Sequence, residues 1–180
     1  MKIKSILIIV SISILIILIL NPLLKFILGT PYPLPLITSE SMQHDSNFDE
    51  WWEKSNMWYI ENGINKTEFE TFPLKNGFNK GDMLIAKGVK SDKIKIGDVI
   101  VFLDVKGDTI SHRVVRFQQN EKLLFTTKGD NYKTNYLPIK NQDFDETELS
   151  EEKVVGKVIF RIPYIGYIKI MVVWLLIKLY

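Results

Sequence analysis

The sequence predicts a mainly β protein, a small antiparallel β-domain placed between two apolar chain ends. Five short runs rich in β-branched and aromatic residues occur between residues 82 and 162, and turn residues separate them at near-regular spacing. No segment of helical period interrupts the runs between residues 82 and 127, which argues against a parallel α/β sheet. Apolar residues are concentrated at both ends of the 180-residue chain.

The N-terminal end begins with Met1-Lys2-Ile3-Lys4 and continues into an apolar stretch that reaches Leu28. Two interpretations compete. A cleaved secretory signal peptide has an apolar core of about 7–15 residues, whereas an uncleaved anchor needs roughly 20. The length of the stretch and the lack of any Ala-x-Ala sequence favour the anchor. We therefore expect residues 1–30 to be a cytoplasmic stub and a transmembrane helix, with Lys2 and Lys4 on the cytoplasmic side.

A stiff connector follows the anchor, because three prolines alternate with other residues between Thr30 and Pro35. Such a segment is extended and cannot form a helix. It places Ser41 close to the membrane surface, at the start of an extracytoplasmic domain predicted to span residues 31–162.

An aromatic segment lies between residues 43 and 80, and it contains three of the four tryptophans of the chain. Phe48, Trp52 and Tyr59 fall roughly on one face of a helix. One interpretation is a helical flap that packs its aromatic side chains on the domain. The other is an anchor in the membrane headgroup zone, which Trp and Tyr prefer.

The predicted strands are the five runs at residues 83–86, 99–103, 109–117, 122–127 and 154–161. The acidic and polar residues 135–152, between the last two, are expected to form a surface loop. Residues 163–180 are again apolar, and we expect a short second membrane helix there. A helix on the membrane surface and a buried terminal helix are the alternatives.

Composition excludes several classes of chemistry. The chain contains no cysteine, so disulfides, cysteine metal sites and a cysteine nucleophile are excluded. A net charge of +2 lacks the strongly basic character of a nucleic-acid-binding protein. We expect no cofactor and no metal.

Hydrolysis by a serine needs a hydroxyl, an imidazole that takes its proton, and a carboxylate that orients the imidazole. Ser41, in the stretch from Ile37 to Met42, is the candidate nucleophile. The chain has only two histidines. His112 lies within a predicted strand and fits either a neutral general base or a hydrogen-bonded core histidine. His44 lies in a polar segment, and we expect it to be a solvated surface residue.

The candidate carboxylate is Asp130, which directly follows a predicted strand in the sequence Lys128-Gly129-Asp130-Asn131. Ordinary turn chemistry is the alternative explanation for it. Asp82 and Asp98 also follow glycines next to strands, and for both we accept the turn interpretation.

Six short boxes, distributed over most of residues 37–166, together resemble those of the type I signal peptidases in composition and in order. They are Ser39-Glu40-Ser41-Met42, Gly81-Asp82, Gly97-Asp98, His112-Arg113-Val114-Val115, Lys128-Gly129-Asp130-Asn131 and Gly156-Lys157-Val158. The histidine box is similar to the archaeal and endoplasmic-reticulum branch, because the bacterial enzymes carry a lysine base at this place.

The resemblance implies a serine endopeptidase of the cell membrane that removes signal peptides from exported preproteins. It implies that Ser41 is the nucleophile, His112 the general base and Asp130 the acid. It also implies that Ser39 and the backbone N–H of Ser41 form the oxyanion hole. The implied partners are signal peptides, membrane lipids and the protein-export channel, without nucleic acid.

The sequence departs from the family pattern in several places. Glu40 replaces the usual glycine, and His44 replaces a proline. The region where relatives often carry a second aspartate contains Asn135 and Tyr136, so the third catalytic role falls to Asp130 or to a displaced residue such as Asp143 or Asp145. Residues 43–80 are longer than the usual link and are expected to be an insertion.

These departures leave two alternatives open, a specialised peptidase with few substrates and a non-catalytic scaffold subunit tethered to the membrane. A self-cleaving repressor of related fold is disfavoured, because such proteins use a lysine base and lack an anchor.

Overall fold

The structure is a computed structural model that describes residues 19–119, 122–165 and 167. Residues 19–28 form a helix, α1, with large apolar side chains exposed at Leu23, Phe26 and Ile27. Most of the expected N-terminal anchor and of the expected C-terminal membrane helix lies outside the described residues. In the part of the chain that is described, no helix is both long enough and apolar enough to cross a membrane.

The centre of the molecule is a six-stranded antiparallel sheet, which confirms the predicted small antiparallel β-domain. In space the strands follow the order β1-β6-β2-β3-β4-β5. Their bounds are β1 Met83–Lys87, β2 Val99–Leu103, β3 Thr109–Gln119, β4 Leu123–Lys128, β5 Leu149–Ser150 and β6 Val154–Ile162.

All five predicted runs form strands, with ends that shift by no more than two residues. The sixth strand, β5, falls inside the segment that we expected to be a surface loop. It pairs with β4 through Phe125 and Leu149, and both side chains are buried. A two-residue strand is too short to show an alternating pattern, so the sequence does not reveal it.

The long strand β3 lies between β2 and β4 and carries the residues that matter for the site. His112 is paired with Ile100 of β2, and Arg113 with Lys128 of β4. The pairing places His112 and Arg113 in the middle of the sheet, where both are buried.

Residues 43–80 contain two helices, α2 Phe48–Glu61 and α3 Lys66–Glu70. The side chain of Asn47 accepts a hydrogen bond from the Glu50 N–H and caps α2. The aromatic residues Trp51, Trp52 and Tyr59 are almost fully buried. They pack in one cluster with Trp58, Ile64, Phe69, Phe72 and Val115. The helical-flap interpretation therefore describes this segment, because its aromatic side chains are directed into the protein.

Candidate active site

The loop that carries Ser41 is held from two sides. On one side the connector runs beside β1, where the Leu84 N–H donates to the Pro35 carbonyl at 2.9 Å. On the other side the backbone N–H of Asn131 donates to the Ser41 carbonyl at 2.8 Å, and the side-chain amide of Asn131 donates to the Glu40 carbonyl at 2.9 Å. Ser41 is thus fixed between the edge of the sheet and the loop that follows β4.

The loop after β4 approaches Ser41 closely at Gly129. A Cβ atom at this position would lie only 2.6 Å from the Ser41 carbonyl oxygen, nearer than real Cβ contacts. Glycine is therefore required here for the approach of two backbones. The same requirement explains why a glycine precedes Asp130 in the chain.

Ser41 and His112 are brought together, although they are 71 residues apart in the chain. The Ser41 Oγ lies 2.8 Å from Nε2 of His112, within the reach of a general base. The imidazole is buried, with 3% of the residue exposed. The Oγ of Ser39 lies 3.1 Å from the Ser41 Oγ.

The carboxylate that contacts His112 belongs to Glu146. Its Oε1 lies 2.5 Å from Nδ1 of His112, and it also accepts from the Thr127 hydroxyl at 2.9 Å. Its Oε2 accepts from the Ile139 N–H at 2.7 Å. Glu146 is fully buried, so a carboxylate here is stabilised by these donors rather than by water.

This geometry defines the tautomer of the imidazole. A carboxylate at Nδ1 accepts a hydrogen bond, so Nδ1 carries the hydrogen and donates it, and Nε2 is free to accept a hydrogen bond from the Ser41 hydroxyl. The side chains of Ser41, His112 and Glu146 contact one another in the order hydroxyl, imidazole and carboxylate, the order found in a Ser–His–Asp triad.

Asp130, the acid implied by the resemblance, contacts a different partner. Its carboxylate accepts hydrogen bonds from the Arg113 Nε at 3.0 Å and from Nη2 at 2.6 Å. The hydroxyl of Tyr59 donates to Oδ1 at 3.1 Å. The sequence expectation placed Asp130 at the His112 ring, but the structure gives that place to Glu146.

The ionic state of Asp130 follows from this environment. Burial by itself raises the pKa of the Asp130 carboxyl, but the neighbouring Arg113 guanidinium and His44 side chain hold that pKa well below its usual range. Asp130 is therefore a permanent buried anion paired with a permanent buried cation.

The Arg113–Asp130 pair also joins the 43–80 segment to the site. Arg113 donates to the backbone carbonyls of Pro73 and Leu74 at 2.8 and 2.9 Å. The Trp51 indole N–H donates to the Asp130 carbonyl at 3.1 Å. The Arg113–Asp130 ion pair therefore supports both strand β3, which carries His112, and the loop after β4, which contacts Ser41.

The expectation that His44 is a solvated surface residue is wrong. Its ring stacks on Trp51, with the centroids 3.7 Å apart and the planes 5° from parallel, and 2% of the side chain is exposed. Its Nε2 lies 3.4 Å from Oδ2 of Asp130, an ion-pair distance beyond a short hydrogen bond. The ring is buried because Trp51 of helix α2 packs against it, and the polar sequence around His44 does not indicate this contact.

The two other carboxylates considered from the sequence form surface ion pairs. Asp143 lies 3.0 Å from the Lys106 ammonium, and Asp145 lies 2.8 Å from that of Lys140. Glu146 directly follows Asp145, and the sequence does not distinguish it, because no motif marks it within an acidic segment. Within the described ranges, no three His, Cys, Asp or Glu side chains converge as metal ligands.

On this antiparallel sheet, Ser41, His112 and Glu146 form a Ser–His–carboxylate site with the geometry of serine hydrolases. No family model matches the chain. The resemblance to signal peptidases is confirmed by curated relatives. The chain is 35% identical over 103 residues to the signal peptidase complex catalytic subunit SEC11 of Candida tropicalis. It is 28% identical over 101 residues to the catalytic subunit SEC11C of Homo sapiens.

These alignments include only part of each protein. They cover 55% of this chain and 60% of the Candida tropicalis relative, and 54% of this chain and 52% of the human one. The chain therefore spans a little more than half the length of the curated relatives that it matches.

Proposed function

We propose that this protein is a membrane-anchored serine endopeptidase that removes N-terminal signal peptides from exported preproteins. The observation that carries the proposal is the alignment of Ser41, His112 and Glu146. The distance is 2.8 Å from the Ser41 Oγ to Nε2 of His112 and 2.5 Å from Nδ1 of His112 to the Glu146 Oε1. The similarity to catalytic subunits of signal peptidase complexes gives the substrate class.

In the proposed reaction, the Ser41 Oγ attacks the scissile carbonyl while Nε2 of His112 takes its proton. The buried Glu146 carboxylate stabilises the imidazolium that forms. His112 then gives the proton to the leaving amine as the carbon–nitrogen bond breaks, which leaves an acyl group on Ser41. A water molecule, activated by the same imidazole, hydrolyses that ester and restores the serine.

Charge on the carbonyl oxygen requires donors that are in place before the reaction. The proposed donors are the Ser41 backbone N–H and the Ser39 hydroxyl. The Ser39 Oγ lies 3.1 Å from the Ser41 Oγ, close to where the carbonyl would be attacked. Donors of this kind stabilise charge that appears only in the transition state.

A groove next to the nucleophile suits an extended substrate. A cavity of about 190 Å³ lies between the connector and the start of β3, and Ser41 and His112 are among the residues that line it. Residues 35–39 and 109–111 line it as well. An extended peptide can add to such chain segments through main-chain hydrogen bonds, with shallow pockets for small side chains.

The membrane placement is part of the proposal. Residues 1–30 anchor the chain, residues 31–162 form the extracytoplasmic catalytic domain and residues 163–180 form a second membrane helix. The exposed apolar face of α1, with Phe26 at 87% exposure, supports contact with lipid. Signal peptides, membrane lipids and the export channel are the proposed partners.

The alternative of a non-catalytic scaffold rests on the region where relatives often carry a second aspartate and this chain has Asn135 and Tyr136. Glu146 supplies a carboxylate at the His112 ring, so this support for the scaffold is lost.

The test is the cleavage of a preprotein by the full-length protein in detergent micelles or liposomes. We expect Ser41→Ala and His112→Ala each to abolish cleavage and to abolish labelling by a serine-directed fluorophosphonate. Ser91→Ala, a substitution remote from the site, is the matched control. Full cleavage by either site variant would refute the mechanism.

A further inference from the structure

A second cavity opens beside Ser41 and adjoins the substrate groove. It has a volume of about 330 Å³. It shares Ser39, Ser41, Ile110 and His112 with the groove, and its other walls come from Glu40 and from the segment after β4. We call it the Asn135 pocket, and its distinguishing residues are Glu40, Thr134, Asn135, Ile139 and Phe144.

Its walls are mainly apolar, with one buried amide. Ile139 and Phe144 are half-buried, and Ile110 completes the apolar lining. Asn135 is 2% exposed. Its Oδ1 accepts from the Thr134 hydroxyl at 2.8 Å, while its Nδ2 is buried and has no hydrogen-bond partner among the described residues.

A buried amide donor without a partner needs an explanation, because nearly all such groups in proteins are hydrogen-bonded. Asn135 lines the cavity, so a rotation of its buried amide about χ2 would bring the donor to an acceptor in a bound ligand. A pocket that combines apolar walls with one N–H donor suits a short stretch of peptide, whose side chain is apolar and whose carbonyl is an acceptor.

The amide lies next to the reacting serine. The point where a Gly129 Cβ would stand is 2.6 Å from the Ser41 carbonyl oxygen and 2.7 Å from Cγ of Asn135. Ser41 and His112 line both the groove and the pocket, so a peptide bound at the Ser41 hydroxyl lies at the entrance of the pocket.

The two cavities meet at the Ser41–His112 pair, and a cleaved peptide must continue on both sides of the scissile bond. The groove is lined by two chain segments, residues 35–39 and 109–111, between which the extended part before the cut fits. His112 gives its proton to the leaving amine, so the leaving chain passes the imidazole and reaches the remaining cavity.

We propose that the Asn135 pocket binds the residue that directly follows the cut. The Nδ2 of Asn135 donates to a backbone carbonyl of the leaving chain, and Ile139 and Phe144 favour an apolar side chain. The exposed Glu40 carboxylate at the rim disfavours an acidic one. This inference rests on the proposed peptidase function.

The experiment uses full-length protein in liposomes and preproteins that differ only in the residue after the cut, which is Leu, Gly or Asp. We expect kcat/KM to be at least about tenfold higher for Leu than for Gly, within the roughly 10–200-fold that a hydrophobic pocket provides, and to be lowest for Asp. Phe144→Trp fills the pocket, and we expect it to lower the Leu-over-Gly ratio at least tenfold. Phe117→Trp, on the exposed end of β3, is the matched control and keeps the wild-type ratio.

A second variant tests the amide itself. We expect Asn135→Ala to lower kcat/KM for the Leu preprotein at least tenfold more than it lowers the rate of fluorophosphonate labelling, since the small probe does not reach the leaving-chain side. Equal loss of both would overturn the role of the amide. A circular dichroism melt of each variant checks that it is folded.

The outcomes separate this inference from the proposed function. Cleavage at equal rates for Leu, Gly and Asp, unchanged in Phe144→Trp, would overturn the pocket and leave the peptidase standing. Failure of the wild-type protein to cleave any preprotein or to label at Ser41 would overturn the peptidase, and the pocket with it.

Discussion

The Oε1 atom of Glu146 lies 2.5 Å from Nδ1 of His112, and both side chains are buried. The contact joins β3 to the segment before β5, 34 residues further along the chain. It holds the imidazole ring in one orientation and leaves Nε2 facing the Ser41 hydroxyl. The role of this carboxylate is therefore testable apart from that of Asp130.

Glu146→Gln keeps the size of the side chain but removes the charge that orients His112 and stabilises its protonated form. We expect kcat for preprotein cleavage to fall by about 10⁴, the size of effect seen when a triad acid becomes an amide. Glu148→Gln, at an exposed position two residues later, is the control and keeps wild-type kcat. Undiminished cleavage by Glu146→Gln would show that another group orients the base.

Asp130→Asn should act mainly on stability. The change leaves the buried Arg113 guanidinium without its anionic partner, and breaking such a pair costs about 3–5 kcal/mol in the free energy of unfolding. Urea unfolding in detergent measures the loss. Asp92→Asn removes an exposed partner of Lys93 and should change the free energy of unfolding by no more than about 1 kcal/mol. A stable Asp130→Asn protein that has lost all kcat would instead make Asp130 the catalytic acid.

The strands and the paired Ser41 and His112 could be predicted because their signals are local. Alternating apolar runs and the turns between them depend on neighbouring residues, and the strand bounds deviate by only one or two residues. The serine and histidine boxes are short, and their order along the chain carries the resemblance. The structure places the two side chains 2.8 Å apart.

The third member of the site could not be predicted, because it depends on contacts between distant parts of the chain. Glu146 looks like one of several acidic residues, and only the Thr127 hydroxyl and the Ile139 N–H make it a buried acceptor. Asp130 follows the expected box, but the burial of Arg113 beside it decides its role. His44 is buried by stacking on Trp51, a contact that requires helix α2 to be in place.

Ser39→Ala tests the proposed second donor to the oxyanion. The Ser39 hydroxyl lies 3.1 Å from the Ser41 hydroxyl, and Ser39 is exposed. Loss of one such donor lowers kcat by about 10²–10³ with little change in KM, because the donor acts in the transition state. Steady-state cleavage of a preprotein gives both constants, with Ser91→Ala as control. An effect on KM alone would assign Ser39 to substrate binding instead.

Tyr59→Phe tests whether the 43–80 segment supports the site without taking part in the reaction. The Tyr59 hydroxyl donates to the buried Asp130 carboxylate at 3.1 Å. We expect its removal to lower the free energy of unfolding by about 1–3 kcal/mol, as for a hydrogen bond to a buried charge. The kcat of the folded variant should stay within twofold of wild type. Tyr136→Phe, at a half-exposed ring, is the control for both measurements.

Lys128 gives the protein a predictable dependence of stability on pH. Its side chain is buried beside the Tyr59 ring, and its ammonium donates to the Gly129 carbonyl at 2.9 Å. Burial lowers the pKa of Lys128 to about 8, and the nearby Asp130 carboxylate offsets only part of that effect. In the unfolded chain the pKa is about 10.4. Between these values the unfolded chain holds more protons than the folded protein, so this residue makes stability rise with pH from about 8 to 10.4.

Lys128→Met removes the buried charge while keeping a long apolar chain. At pH 7 we expect the variant to be more stable, by up to about 3 kcal/mol according to the difference between the two pKa values. The lost hydrogen bond to Gly129 reduces this gain. The gain should shrink steadily as the pH rises from 8 towards 10.4, because the folded wild-type lysine is then neutral. Urea unfolding at pH 7, 8, 9 and 10 measures it, with the exposed Lys153→Met as control. A difference between Lys128→Met and wild type that is the same at all four pH values would show that the Lys128 charge is not penalised by burial.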